Sequence, residues 1–304
     1  MPRLCTNKQL AAKKLITAIG VFISFFIFSE YSQAALSEVQ IQKIQDLVGQ
    51  QTYHDGPNCY NAASYISGFT DYLYQTSTME LKYYLAYSCY ENKGKPASGD
   101  ILIIGTPYLN FANSIAHAVV VLENDSVFEK GSPAAFYKTE KFSQDDRKKY
   151  LPYTYYSISN IQKSLYAGDI SREDRNIKYY SCNGDFKSLN KKCEAGTLYE
   201  GIKSIQKQLQ AISLNKKRDV SAEARILLDE TGRSIEQFHQ SDIQDECSLY
   251  YFTQWNSILW HFQNSDWGVS EHDAYQKVDQ ILKSMLPKYL ELKIDPASKF
   301  ILAE

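Results

Sequence analysis

The chain has 304 residues, 44% of them apolar and 22% charged, and a formal net charge of −2. That length and apolar share are enough to bury a sizeable core. The near-neutral balance excludes a basic nucleic-acid binder and an acidic tail protein, and 14 Gly with 8 Pro exclude a collagen-like or disordered chain.

Residues 1–14 carry Arg3, Lys8, Lys13 and Lys14 and no acid. Leu15 to Phe28 is an uncharged, mostly apolar run, and Ser32 and Ala34 fit a small-x-small cleavage pattern. Residues 1–34 therefore read as a Sec-type signal peptide. The run is shorter than the roughly 20 apolar residues of a spanning helix. The expected product is exported, periplasmic or extracellular, and has no stable membrane span after processing. Cleavage would remove Cys5 and leave Cys59, Cys89, Cys182, Cys193 and Cys247. In an oxidising compartment an odd count points to one free thiol and two bridges. Cys182 and Cys193 lie close in sequence, and closing so short a loop is worth about 3 kcal/mol. They are expected to pair, which leaves Cys89 with Cys247.

In chain order, residues 36–50 read as a helix with Val39, Ile41, Ile44, Leu47 and Val48 on one side. His54-Asp55-Gly56-Pro57-Asn58 is a turn cluster. A helix follows from Cys59 to about Leu73, with Ala62, Ile66, Phe69 and Leu73 facing the core. Ser77 and Glu80 have capping-box spacing for another, through about Tyr87. Gly99-Asp100 opens a buried strand at Ile101–Ile104. His117–Leu122 is a second strand, Glu123-Asn124-Asp125 a turn, and Ser126–Lys130 a third strand. The Tyr-rich stretch 150–160 supplies one more. Residues 166–197 are polar and read as a disulfide-containing linker. Helical periodicity dominates 198–304, with Ile202, Ile205, Leu209 and Ile212 as one stripe, and Pro287 is expected to kink or end the last helix. Helices first and an antiparallel meander next make an α+β order over 36–165, with a mainly helical region after it.

Cys59 is the leading candidate for chemistry. A thiol at a helix N-terminus feels the positive end of the macrodipole and the unpaired first-turn amides, and both favour the thiolate. The Cys59 amide can also donate to an oxyanion. The base is expected to be His117, at the start of an otherwise apolar strand. His54 is a weaker candidate base or part of the cleft wall. Glu129 stands twelve residues after His117, across the hairpin. With a three-residue turn the two share a sheet face, so Glu129 can orient the imidazole. Asn124 and Asp100 are the alternative orienters.

Tyr83, Tyr84, Tyr87 and Tyr90 could stack on sugar rings but fit packing better. Trp255, Trp260, Trp267 and His261 also read as packing residues. No Cys/His group has zinc spacing, and there is no P-loop and no GxGxxG. Neither a metal nor a cofactor is expected.

Three segments carry a resemblance: Gly56-Pro57-Asn58-Cys59-Tyr60-Asn61-Ala62, Pro96-Ala97-Ser98-Gly99-Asp100-Ile101-Leu102, and His117 through Glu129. Together they resemble the NlpC-type and CHAP-type cell-wall cysteine peptidases, which are papain-like folds. The likeness covers roughly residues 50–135. It departs at Asn58-Cys59-Tyr60-Asn61, where those families usually show Asp-Cys-Ser-Gly or Cys-x-Trp, and at Glu129, where His, Asn or Gln is commoner. The resemblance implies a nucleophile helix packed on an antiparallel sheet. It also implies hydrolysis of a peptide or amide bond in peptidoglycan, with Cys59, His117 and Glu129 as the catalytic set. Tyr53, and Asn58 beside the nucleophile, are the candidate oxyanion or cleft residues, and the partner is a cell-wall peptide or protein substrate. Two other readings stay open: a non-catalytic secreted binding protein on the same fold, and a transglutaminase-like acyltransferase.

Overall fold

The computed structural model describes residues 36–54, 56–105, 115–131, 156–162, 176–182, 193, 196–215, 220–241, 246–265, 267–270 and 272–290. The expected signal peptide lies outside them. Helix α1 (Glu38–Leu47) is opened by a Ser37/Gln40 capping box and buries Ile44 and Leu47. Val39 and Ile41, expected on the core side, are exposed. Helix α2 (Cys59–Ile66) stops at Ser67, and Gly68 takes a left-handed φ of 81°. It is shorter than its apolar spacing suggested, although Phe69 and Leu73 still reach the core. Helix α3 (Thr78–Ser88) is capped by Ser77. Every residue from Met79 to Leu85 is buried, so α3 is a central helix, and Tyr83 and Tyr84 pack rather than face a ligand.

The strands are β1 (Cys89–Asn92), β2 (Ile101–Gly105), β3 (Ile115–Val121), β4 (Ser126–Lys130), β5 (Tyr156–Asn160) and β6 (Asn176–Cys182). They form one antiparallel sheet in the order β1-β6-β2-β3-β4-β5. Alternation sorts its two faces. Ile101, Ile103, Ala118, Val120 and Phe128 join the helices in the main core. Leu102, Ile104, Val119, Val121 and Val127 form a second cluster with Ile161.

Strand β6 corrects the linker reading of residues 166–197, since it pairs with both β1 and β2, one strand in from the edge of the sheet. It also corrects the cysteine pairing. Register sets Cys182 directly opposite Cys89, and those two are bonded. Cys193 is bonded to Cys247. Nearness in sequence was a poor guide because loop-closure entropy grows only logarithmically with length. Spans of 93 and 54 residues therefore cost little more to close than a short one, and strand pairing decides.

The later helices are α4 (Thr197–Ser213), α5 (Val220–Gln240), α6 (Glu246–Asn264) and α7 (Asp273–Leu290). Pro287 does not end α7, which runs on to Leu290. The four helices share the main core with α2 and α3: Ile205, Trp255, Ile258 and Phe262 are buried in the same cluster as Ile66, Tyr74 and Tyr84. A buried polar network crosses this junction. Glu80 Oε1 accepts from the hydroxyls of Tyr74 and Tyr84, each at 2.6 Å, and from Gln254 Nε2 at 2.9 Å. Gln206 Nε2 donates to Gln254 at 2.7 Å. Leu36–Glu304 forms one compact unit.

Candidate active site

The turn before α2 is braced by the end of α4. The Tyr53 amide donates to the Ser213 carbonyl at 2.8 Å, and His54 Nε2 lies 3.2 Å from the Asn215 carbonyl. A Cβ on Gly56 would meet Thr52 Cβ at 3.0 Å and Ser213 Cβ at 3.1 Å, so a larger residue would need both neighbours to give way. His54 adopts a φ of 54°, a conformation that costs a β-carbon residue about 1–3 kcal/mol. Tyr53 belongs to this braced turn through its backbone. The ring of His54 is turned to Asn215, and the imidazole that meets the thiol is that of His117.

Asn58 is the N-cap of α2. Its Oδ1 accepts from the Asn61 amide at 3.1 Å and the Thr76 amide at 3.2 Å, and Nδ2 donates to the Thr76 carbonyl at 2.8 Å. These bonds spend its carboxamide on ending the helix and holding the segment before α3. The side chain expected at the cleft thus serves as the helix cap.

Cys59 is the first residue of α2 and is only 4% exposed. Among the cysteines of the described residues it alone is unbridged. Burial pushes its thiol up. The charge of His117, a hydrogen bond with His117, and bonds from the Ala118 and Tyr60 amides outweigh that and hold it below its usual value. Because α2 packs on β3 and β4, the helix N-terminus is delivered to the strand that bears His117. The Tyr60 hydroxyl donates to the Ile115 carbonyl and fastens α2 to the start of that strand.

His117 sits at a bulge in β3. Ile104 pairs with His117 and Gly105 with Ile115, so Ala116 is the extra residue. Bulges next to functional sites re-aim side chains. By alternation His117 belongs with Val119 and Val121, and the thiol meets it at the bulged end of the strand. Its Nε2 lies 3.0 Å from Glu129 Oε2, which leaves Nδ1 as the ring nitrogen for Cys59. Burial pushes the imidazole down. The charge and hydrogen bond of Cys59, followed by those of Glu129, raise it to about 10. Each group therefore favours the charged form of the other: the imidazole lowers the thiol, and the thiol and Glu129 raise the imidazole.

The expected hairpin geometry brings Glu129 here. Residues 123–125 are the turn, closed by the Leu122 amide on the Ser126 carbonyl at 2.8 Å, with Asn124 and Asp125 both at a φ of 56°. Val120 faces Phe128 and Val121 faces Val127, so positions 117 and 129 share one side of the sheet. Glu129 is 8% exposed, and its other oxygen, Oε1, accepts from Ser159 Oγ on β5. The alternative orienters are engaged elsewhere. Asp100 accepts from Asn92 Nδ2 and the Ala97 amide, each at 2.9 Å, and from Ser181 Oγ, so it organises the turn into β2. Asn124 stays at the hairpin tip.

Sequence reasoning missed Ser159 and the Tyr60 anchor. The alternating hydroxyls Ser157 and Ser159 in the Tyr-rich stretch were the available signal for the first. His261 is a core histidine as expected: fully buried, Nδ1 accepting the Gln75 amide at 2.7 Å, and pushed down to about 3 by burial. No group of three or more His, Cys, Asp or Glu side chains is placed to hold a metal among the described residues. No protein-family model, curated protein or solved structure matches this chain.

Proposed function

We propose that the chain is an exported cysteine hydrolase on a papain-like core, cleaving a peptide or amide bond through a thioester. The observation that carries this reading is the convergence of Cys59, His117 and Glu129 from a helix and two strands. Two disulfides fit an oxidising destination. No helix among the described residues is long and apolar enough to cross a membrane.

The chemistry follows from the geometry. The Cys59 thiolate adds to the carbonyl carbon, and the oxyanion forms beside the amide-rich start of α2. The His117 imidazolium gives its Nδ1 proton to the departing amine, the C–N bond breaks, and a thioester remains. Water then adds to the thioester while His117 Nδ1 takes its proton. Collapse releases a carboxylic acid and restores the thiolate and imidazolium. Throughout, Glu129 keeps the Nε2–H oriented and supports the positive ring.

The likeness of residues 50–135 to cell-wall peptidases favours a peptidoglycan substrate. An amine could take the acyl group from the same thioester in place of water, which makes acyl transfer the second reading. Digestion of purified cell wall or muropeptides by wild type, Cys59→Ala and His117→Ala is the test. Cleavage that is lost in both variants supports hydrolysis. Unchanged cleavage in either variant contradicts the assignment, and incorporation of a labelled amine marks acyl transfer.

A further inference from the structure

The triad continues by one residue that neither the spacing of motifs nor the resemblance assigns. Glu129 has two carboxylate oxygens with different duties: Oε2 holds His117 Nε2 at 3.0 Å, and Oε1 takes the hydroxyl of Ser159 at 2.5 Å. Their placement is set by the sheet. Strand β4 pairs with β5 so that Glu129 faces Ser157 and Val127 faces Ser159. Positions 127, 129, 157 and 159 therefore share one side, and Ser159 stands diagonally from Glu129. His117 lies on that same side of β3, so a line of hydrogen bonds crosses three adjacent strands and ends at Cys59.

A glutamate reaches its partner through three rotatable bonds. A carboxylate bonded at one oxygen only can swing away from an imidazole, and a second bond at the other oxygen removes that freedom. We propose that Ser159 is a positioning residue for the reaction, holding the Glu129 carboxylate so that Oε2 meets His117 and the ring presents Nδ1 to Cys59. This rests on the Cys59–His117–Glu129 reading given above. Among the described residues, the titratable groups facing His117 are Cys59 from α2 and Glu129 from β4, so a change at Ser159 reaches the ring through Glu129.

The direction of the effect separates positioning from simple charge tuning. A hydroxyl bonded to a carboxylate withdraws some of its charge. If that were its whole role, Ser159→Ala would strengthen Glu129 as a partner and raise the His117 titration. If Ser159 positions the carboxylate, the same change loosens Glu129 against the ring, and the His117 titration falls.

The test follows the His117 ring by NMR titration in wild type, Ser159→Ala and Ser159→Thr, with thermal melts of all three. In wild type the ring is expected to titrate well above an ordinary imidazole. In Ser159→Ala its titration moves to lower pH by about one unit or more, kcat/KM above neutral pH falls about tenfold, and the melt shifts little. Ser159→Thr keeps the hydroxyl on a strand that tolerates β-branching, and restores the wild-type titration. An unchanged or raised His117 titration in Ser159→Ala, with wild type high, overturns the role of Ser159 and leaves the triad standing. An ordinary titration in wild type itself overturns both.

Discussion

At the residue scale, the site turns on one competition. Burial opposes both charges of the Cys59–His117 pair, and each charge offsets that cost for the other. The sign of the pH dependence follows. Cys59 is depressed, so the thiolate is lost only when pH falls through a value below the ordinary thiol range of about 8.5. His117 is raised, so the imidazolium is lost only as pH rises towards about 10. Activity is expected to have a wide plateau between those limits, which belong to the pair rather than to either residue. Glu129→Gln removes the charge behind Nε2, and its alkaline limb is expected to move to lower pH with at least a tenfold loss of kcat/KM, roughly the effect of losing such an outer partner. A pH–rate profile identical to wild type would remove Glu129 from the mechanism. Cys59, His117 and Glu129 were legible because helix-start chemistry, strand periodicity and turn parity each act locally. Ser159 was not, because its place depends on which strand pairs with β4, and that is a property of the whole sheet.

At the element scale, the nucleophile helix is set by its cap and its preceding turn. Asn58 satisfies the Asn61 amide and both backbone groups of Thr76. Asn58→Ala strands those groups in a buried place and is expected to destabilise by about 2–3 kcal/mol, read by urea denaturation. A loss under about half a kcal/mol would mean that the cap is dispensable. Gly56→Ala drives a Cβ into Thr52 and Ser213. It is expected to cost about 1–3 kcal/mol and to lower activity as well, because the displaced turn carries Cys59. The capping pattern at Ser77 and the three-residue hairpin were readable from local residues. The length of α2 was not, because Phe69 and Leu73 keep helical spacing while the chain leaves the helix at Ser67. Strand β6 also escaped, since Ile177, Tyr179, Tyr180 and Cys182 are only partly buried and do not alternate strictly.

At the scale of the whole molecule, the helical region does more than follow the sheet. Its α4 braces the turn before Cys59 at Ser213 and Asn215, and its α6 completes the buried network around Glu80 through Gln254. Gln254→Leu would leave Glu80 and Gln206 short of partners in the core. It is expected to lower stability by about 2–4 kcal/mol and to reduce activity through the shared core, with calorimetry and turnover measured on the same sample. The two bridges act at this scale too. Each closes a span of more than fifty residues, worth about 4 kcal/mol in chain entropy. Peptide mapping of the oxidised protein is expected to recover Cys89 joined to Cys182 and Cys193 joined to Cys247. The α+β order and the odd free thiol could be read from the chain. The pairing could not, because it depends on strand order in the finished sheet.

Activation of Cys59 as a nucleophile can be tested without a substrate. The rate of iodoacetamide alkylation at Cys59, followed by mass spectrometry across pH, measures the thiolate itself. Wild type is expected to alkylate already at pH values below the ordinary thiol range, and His117→Ala to lose that reactivity, because burial then outweighs the remaining amide bonds to the thiol. A wild-type rate that climbs only towards the ordinary thiol range of about 8.5, and does so equally in His117→Ala, would contradict the account.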